Sequence, residues 1–144
     1  MPYTRTIQVE FNHCDPAGIV FYPRFLEFAN SVTENFFADV VGHSYARMMP
    51  AGQGVPTVSL ACSFRRPTRL EERLVLALRV VGVGRSSLDL RITALGEGED
   101  EAADGPRLTI DKRLAFVDGA AMKSLPWPDA IRARLVAAMN EDQA

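Results

Sequence analysis

The chain has 144 residues, with 16 Lys and Arg against 18 Asp and Glu, for a formal charge of −2. That length suits one domain over residues 1–144, burying roughly 70% of its unfolded surface, and 47% apolar with 24% charged residues is the composition of a globular protein rather than a disordered one. No run of about 18 apolar residues offers a membrane span, and the near-neutral balance removes the electrostatic reason to expect nucleic acid. The opening MPYTRTIQVEFN lacks the apolar stretch of a secretory signal. A cytoplasmic setting is therefore expected, with Cys14 and Cys62 as reduced thiols.

In chain order, Tyr3 to Asn12 alternates apolar Ile7, Val9 and Phe11 with polar Thr6, Gln8 and Glu10, which predicts a strand with one buried face. The run from His13 to Gly18 is broken by Pro16 and Gly18 and reads as a loop. Pro23 suits the first position of a helix. Beyond it Phe25, Phe28, Ala29, Val32, Phe36 and Val40 recur at steps of three and four, and Gly42 is placed to end the helix. A helix of about five turns with so broad an apolar face needs a sheet to cover it.

The remaining chain supplies one. Val58, Leu60, Cys62 and Phe64 alternate with Thr57, Ser59, Ala61 and Ser63. After Arg65-Arg66-Pro67, the residues Leu74, Leu76, Leu78 and Val80 alternate again, and Gly82 and Gly84 lead into Leu88, Leu90, Ile92 and Ala94. The acidic stretch Gly96 to Gly105 reads as a mobile, solvated hairpin loop. A last strand, Arg107 to Val117, points Leu108, Ile110, Leu114 and Phe116 one way, with Lys112 interrupting that face as an edge, a bulge or a pocket rim. Pro126 and Pro128 open a C-terminal helix with Ile131, Leu135 and Met139 inward. The order β-α-β-β-β-β plus a trailing helix, with short connections, predicts an α+β fold around a five-stranded antiparallel sheet.

Many chemistries have no footing here. There is no Walker loop, paired-cysteine zinc motif, HExxH or G-x-S-x-G elbow. With His13 and His43 as the only imidazoles, a multi-histidine metal site is excluded. The suggestive segment is Asn12 to Tyr22, which sets the carboxylate of Asp15 just ahead of the long helix. Free N–H groups and the positive dipole end of a helix can polarise a carbonyl and hold an oxyanion. A nearby carboxylate can attack that carbonyl or activate water. Read alone, Asp15 fits this acyl-transfer role and also a structural one, as a turn residue before Pro16.

The run Cys14-Asp15-Pro16-Ala17-Gly18-Ile19-Val20-Phe21-Tyr22-Pro23 closely resembles the motif of the 4-hydroxybenzoyl-CoA thioesterase family. Gly54-Val55-Pro56 leading into Val58-Ser59 looks like the family's second strand, and the resemblance covers nearly the whole chain. It implies a hotdog fold, in which the antiparallel sheet wraps the central helix, and an acyl-CoA thioesterase needing no metal or prosthetic group. It implies Asp15 as the catalytic carboxylate and the backbone N–H of Tyr22 as the group that polarises the thioester carbonyl. It further implies homodimers or homotetramers with active sites at subunit interfaces.

For coenzyme A, Arg85 and Ser86 match a position where the family's basic residue meets phosphates, although Val83 and Gly84 replace further basic residues there. Arg65, Arg66 and Arg69 form a second basic cluster, which also reads as solvated strand-end arginines. An aromatic acyl group such as hydroxybenzoyl and short or branched aliphatic ones are all compatible with the sequence. Two other functions fit less well: a hotdog hydratase or dehydratase using His13, and a non-catalytic acyl-CoA-binding module.

Overall fold

A computed structural model describes residues 1–144. In chain order the elements are β1 (Tyr3–Gln8), α1 (Pro23–Phe36), α2 (Tyr45–Met48), β2 (Gln53–Gly54), β3 (Thr57–Phe64), β4 (Arg73–Val83), β5 (Ser87–Gly96), α3 (Glu101–Asp104), β6 (Leu108–Ala115), β7 (Val117–Asp118), β8 (Lys123–Ser124) and α4 (Asp129–Gln143). Five strands form one sheet in the order β1-β4-β5-β6-β3, with every neighbouring pair antiparallel. Short β2, β7 and β8 make a separate three-stranded sheet.

The alternation of the strands does what a period of two requires. Leu74, Leu76, Leu78 and Val80 of β4, Leu88, Leu90, Ile92 and Ala94 of β5, and Leu108, Ile110 and Leu114 of β6 all face inward and are buried. They meet Phe25, Phe28, Ala29, Val32 and Phe36 of α1 in one core. Each large side chain so enclosed contributes about 1.5–3 kcal/mol of transfer free energy. The long helix changes hydrogen-bonding pattern to a π turn at Phe37–Val41 and stops at Gly42, whose φ of 75° suits a residue without a Cβ. Helix α4 packs along β4 and buries Leu135 and Ala138, while Trp127 stacks on Phe116 with centroids 4.8 Å apart.

The antiparallel register gives the sheet two distinct ends. Gln8, Arg73, Gly96, Leu108 and Phe64 share one, and Tyr3, Val83, Ser87, Ala115 and Thr57 share the other. The edges are β1 and β3. Strand β3 is open on its inner face, where Leu60 and Phe64 are 44% and 49% exposed.

Three expectations need correction. Strand β1 ends at Gln8, because the chain winds into a 3-10 turn at Phe11–His13 closed by Glu10 and His13, and Phe11 lies exposed. The 96–105 segment is not a loose solvated hairpin: Asp100 accepts from the Ala103 N–H at the start of α3, and Glu99 and Glu101 pair with Arg66, Arg107 and Arg79. Opposite charges from neighbouring elements hold its acidic residues. Lys112 stands at neither an edge nor a bulge: it pairs in register with Leu60 and Leu90, the irregularity of β3 falls at Thr57–Ser59, and its side chain points into the core.

Candidate active site

The segment Cys14–Val20 is a small antiparallel turn bridged at its ends. The Asp15 N–H donates to Ile19 O at 3.0 Å, and the Gly18 N–H donates to Asp15 O at 3.0 Å. Gly18 has a φ of 78° with nothing near the position of a Cβ, so glycine there answers a backbone demand rather than a crowding one. The Asp15 carboxylate is half-buried, and its Oδ1 accepts from the Ala17 N–H at 2.8 Å. The structural role of an Asx turn is thus present, and it uses only one carboxylate oxygen.

The turn is fastened on both sides. Phe21 N–H donates to His13 O at 2.9 Å, Val20 N–H to Thr68 O at 2.8 Å, and Leu70 N–H to Gly18 O at 3.2 Å. These bonds bring Asp15, the start of α1 and residues 68–70 to the same end of the sheet. At the helix start, Arg24 and Phe25 donate their N–H groups to Phe21 O and Tyr22 O at 2.8 and 3.1 Å, and Pro23 has none to donate. The Tyr22 N–H finds no acceptor within the chain. It therefore stands free at the positive end of a 14-residue helix, the electrostatic setting that favours a developing negative charge. The Tyr22 side chain is exposed.

Beside this helix start lies a cleft of 290 Å³ lined by Ile19, Val20, Tyr22, Phe25 and Phe64 together with Arg65–Thr68. Phe25 and Phe64 touch across it with ring centroids 5.7 Å apart. The alternation of β3 marks Phe64 as one of its apolar set and carries no sign of a cleft; Phe64 lines one because β3 is an edge of the sheet.

The two histidines are both engaged locally. His13 Nδ1 accepts from the Glu10 N–H at 2.9 Å and its ring meets Phe28 edge-on, while His43 Nε2 pairs with Gln53 Oε1 at 2.9 Å. Cys14 and Cys62 are free thiols, with Cys14 Sγ 3.6 Å from Glu10 O and the Cys62 thiol pushed upward by burial. No cluster of three or more His, Cys, Asp or Glu side chains is arranged to hold a metal ion.

The candidate phosphate contacts separate. Arg66 is spent on Glu99 at 3.0 Å and on Gly105 O at 2.7 Å, tied to the 96–105 segment and neither solvated nor free for a phosphate. Arg65 and Arg69 are exposed, and their guanidinium groups have no carboxylate partner. Both lie at the Asp15 end, where Arg69 is bridged to Ile19. Arg85 and Ser86 belong to the opposite end. Their turn is anchored by Trp127 N–H donating to Arg85 O at 3.0 Å and by Arg132 donating to Gly84 O at 2.6 Å. Arg85 is exposed, and the Ser86 hydroxyl is buried without a partner. The whole of β4 lies between the two ends, roughly 30 Å at the strand rise. One chain places Asp15 and Tyr22 at one end of the sheet and Arg85 and Ser86 at the other.

A sheet wrapped on a long helix, with an Asp-x-x-Gly turn at that helix's start, defines a hotdog protein of the thioesterase type. The model of the Thioesterase-like superfamily matches residues 9–135, and the chain belongs to that superfamily. No curated protein matches it by sequence. Among solved structures it is similar to a hypothetical protein from Staphylococcus aureus in complex with CoA, with a TM-score of 0.86 at 14% identity over 100% of this chain and 87% of that one. It is similar to the 1,4-dihydroxy-2-naphthoyl-CoA thioesterase from Synechocystis, with a TM-score of 0.82 at 16% identity over 94% and 96%. The gentisyl-coenzyme A thioesterase BH1999 gives a TM-score of 0.79 at 19% identity over 90% and 98%. At these identities the likeness is one of fold. No helix is long and apolar enough to cross a membrane.

Proposed function

We propose that this protein hydrolyses acyl-CoA thioesters to a free acid and coenzyme A. The observation that carries the reading is the free N–H of Tyr22 at the start of α1, on the same loop as the half-committed carboxylate of Asp15. The thioester carbonyl oxygen accepts from that N–H and gathers negative charge there as the carbonyl is attacked. Asp15 supplies the attack in one of two ways. As a base it takes a proton from water, the hydroxide adds, and the thiolate leaves. As a nucleophile it forms an anhydride with loss of the thiolate, which water then opens. Both routes yield one carboxylic acid and one thiol. Superfamily membership and a CoA-bound relative of the same fold support the CoA thioester as the substrate class.

The functional unit in this reading is a dimer. Pairing β3 of one copy antiparallel with β3 of a second, about a twofold axis, sets the Asp15 end of one sheet beside the Arg85 end of the other. Arg85 then approaches the phosphates of a substrate whose thioester lies at the partner's helix start, with Arg65 and Arg69 as the phosphate contacts within the same chain. The direct test is thiol release measured across a panel of aromatic and aliphatic acyl-CoAs. Release from at least one class is expected. Tight binding of acyl-CoA with no thiol released from any of them would leave a binding module instead.

A further inference from the structure

Lys112 is 7% exposed and lies on the inner face of β6, in the cross-strand row Val80–Leu90–Lys112–Leu60. Ile110 and Leu114 flank it on its own strand, and both are buried. Its ammonium has one partner, Thr33 Oγ1 on α1 at 3.3 Å. Thr33 spends its own proton on Ala29 O at 2.7 Å, so it accepts from Lys112 and carries no charge to offset it. No carboxylate pairs with the amine. Asp111 and Arg113, its chain neighbours, point to the other face, where they pair with Arg91 and Asp89. Two of the three N–H groups of Lys112 are left idle.

A lone buried cation is costly, several kcal/mol even after relaxation, and departures of this kind from the packing rules occur at functional sites. Two clefts flank the row that holds Lys112. Tyr22 of the α1 start shares a cleft with Phe64 of β3, and Asn30, two turns along α1, shares another with Thr57, while Leu26 between them and Leu60 on β3 are both exposed. One end of this strip is the cleft beside Tyr22, and the other is a 260 Å³ cleft lined by Asn30, Thr57, Val55 and Met49. The Leu60–Lys112 row lies between them. From Phe64 to Leu60 along β3 is about 13 Å at the strand rise.

We infer that Lys112, partway along the groove, anchors the distal end of the acyl group and selects acyl groups ending in a carboxylate, the mono-CoA thioesters of dicarboxylic acids. The inference rests on the thioesterase reading and adds the substrate class to it. An aliphatic acyl chain lies along the apolar strip, with its thioester at the helix start. Its terminal carboxylate takes the two idle N–H groups and the uncompensated charge of Lys112. Apolar surface supplies the middle of such a substrate and the single cation fixes its end, so chain length as well as charge is read.

The test compares thiol release from ω-carboxyacyl-CoAs with that from methyl-ended acyl-CoAs of the same chain length, in wild type and in Lys112→Met and Lys112→Gln. Wild type is expected to prefer the carboxylate-ended series, with a length optimum. Lys112→Met is expected to lower kcat/KM for that series by about ten- to a hundredfold and to raise it for the methyl-ended series, with Lys112→Gln between the two. A preference for methyl ends at every length in wild type overturns the inference, as does an equal loss on both series in the variants. An acidic side chain of a second copy is the rival partner for Lys112. In that case Lys112→Met loosens the oligomer seen by light scattering, which also overturns the inference. Release of thiol from neither series nor from any other acyl-CoA overturns the thioesterase reading itself, whereas release without discrimination removes only the role of Lys112.

Discussion

Arg107 Nε donates to Glu99 Oε1 at 3.0 Å, and this pair fastens the acidic 96–105 connection to the start of β6. The same buried guanidinium donates to Glu72 Oε2 at 2.8 Å and to Thr68 Oγ1 at 3.3 Å. Residues 68–70 in turn hold the Asp15 turn by backbone bonds, so a structural cation lies one step behind the proposed chemistry. Arg107→Met leaves Glu72 without its cation and Glu99 with Arg66 alone. A loss of about 2–4 kcal/mol is expected, the lower part of the range for breaking a buried pair because Glu72 is partly exposed. Thermal denaturation should show it as a drop of about 5–15 °C in Tm. A Tm equal to that of wild type would contradict this role.

The same network sets an acid limit on stability. Hydrogen bonds from Arg107 hold the Glu99 carboxyl down to about 2 and keep Glu72 below its ordinary value. Because both are lower in the folded than in the unfolded chain, their contribution is complete above the ordinary carboxylate value of about 4.5 and disappears as pH falls toward 2. Wild-type Tm should therefore fall steeply below pH 4.5. Arg107→Met should show a shallower fall from a lower plateau. Parallel acid limbs in the two proteins would remove Arg107 as the cause.

Asp15→Asn separates chemistry from folding. The asparagine oxygen still accepts from the Ala17 N–H, so the turn is kept, while the ability to take a proton or form an anhydride is lost. Turnover on any accepted acyl-CoA should fall by at least ~10²-fold, the lower range for a positioned acid–base group, with Tm close to wild type. Unchanged turnover in a preparation free of wild-type protein would exclude Asp15 from the reaction.

The β-α-β-β-β-β order was legible because both periodicities survive in the sequence: two along Leu74–Val80 and Leu88–Ala94, and three to four along Phe25–Phe36. The ten-residue run Cys14–Pro23 likewise marked the loop. What was not legible depends on sheet order, which no local pattern encodes. Val58, Leu60 and Phe64 alternate like a buried face, yet β3 is an edge, so they stay exposed. Arg85 was legible as a phosphate contact by motif, but that the whole of β4 separates it from Asp15 within one chain was not. Lys112 broke a pattern without saying why, because its only partner, Thr33, is 79 residues away in sequence. The Tyr22 N–H was implied by the likeness of Cys14–Pro23 to a family motif, but that it is free is a matter of the turn's geometry, which offers it no acceptor.

Strand β3 also predicts association. Ser59, Ala61 and Ser63 give its outer face no charge, and Leu60 and Phe64 on its inner face are open, so a lone chain presents an edge that invites pairing. Light scattering at micromolar concentration should give at least twice the 15.9 kDa chain mass. Val58→Lys, which adds charge to that edge, should shift the equilibrium toward the single chain and lower thiol release with it. A wild-type protein that stays at the chain mass and still turns over acyl-CoA would rule out the shared site.

The separation of Asp15 from Arg85 allows a sharper check on how two copies share the work. In the proposed dimer each site takes Asp15 from one copy and Arg85 from the other. Arg85→Ala alone should raise KM for acyl-CoA far more than for a truncated pantetheine thioester, since a distant phosphate contact is made equally in ground and transition states. Asp15→Asn alone should be nearly inactive on both. Unfolding the two variants together and refolding them produces mixed dimers, each with one doubly altered site and one site that is wild type in both residues. The mixture should therefore exceed, in kcat/KM for acyl-CoA at low substrate, the mean of the two parents measured apart. A mixture that only averages its parents would mean that Arg85 serves the Asp15 of its own chain through some other geometry, or serves none, and the exposed Arg65 and Arg69 would then be the phosphate contacts to alter next.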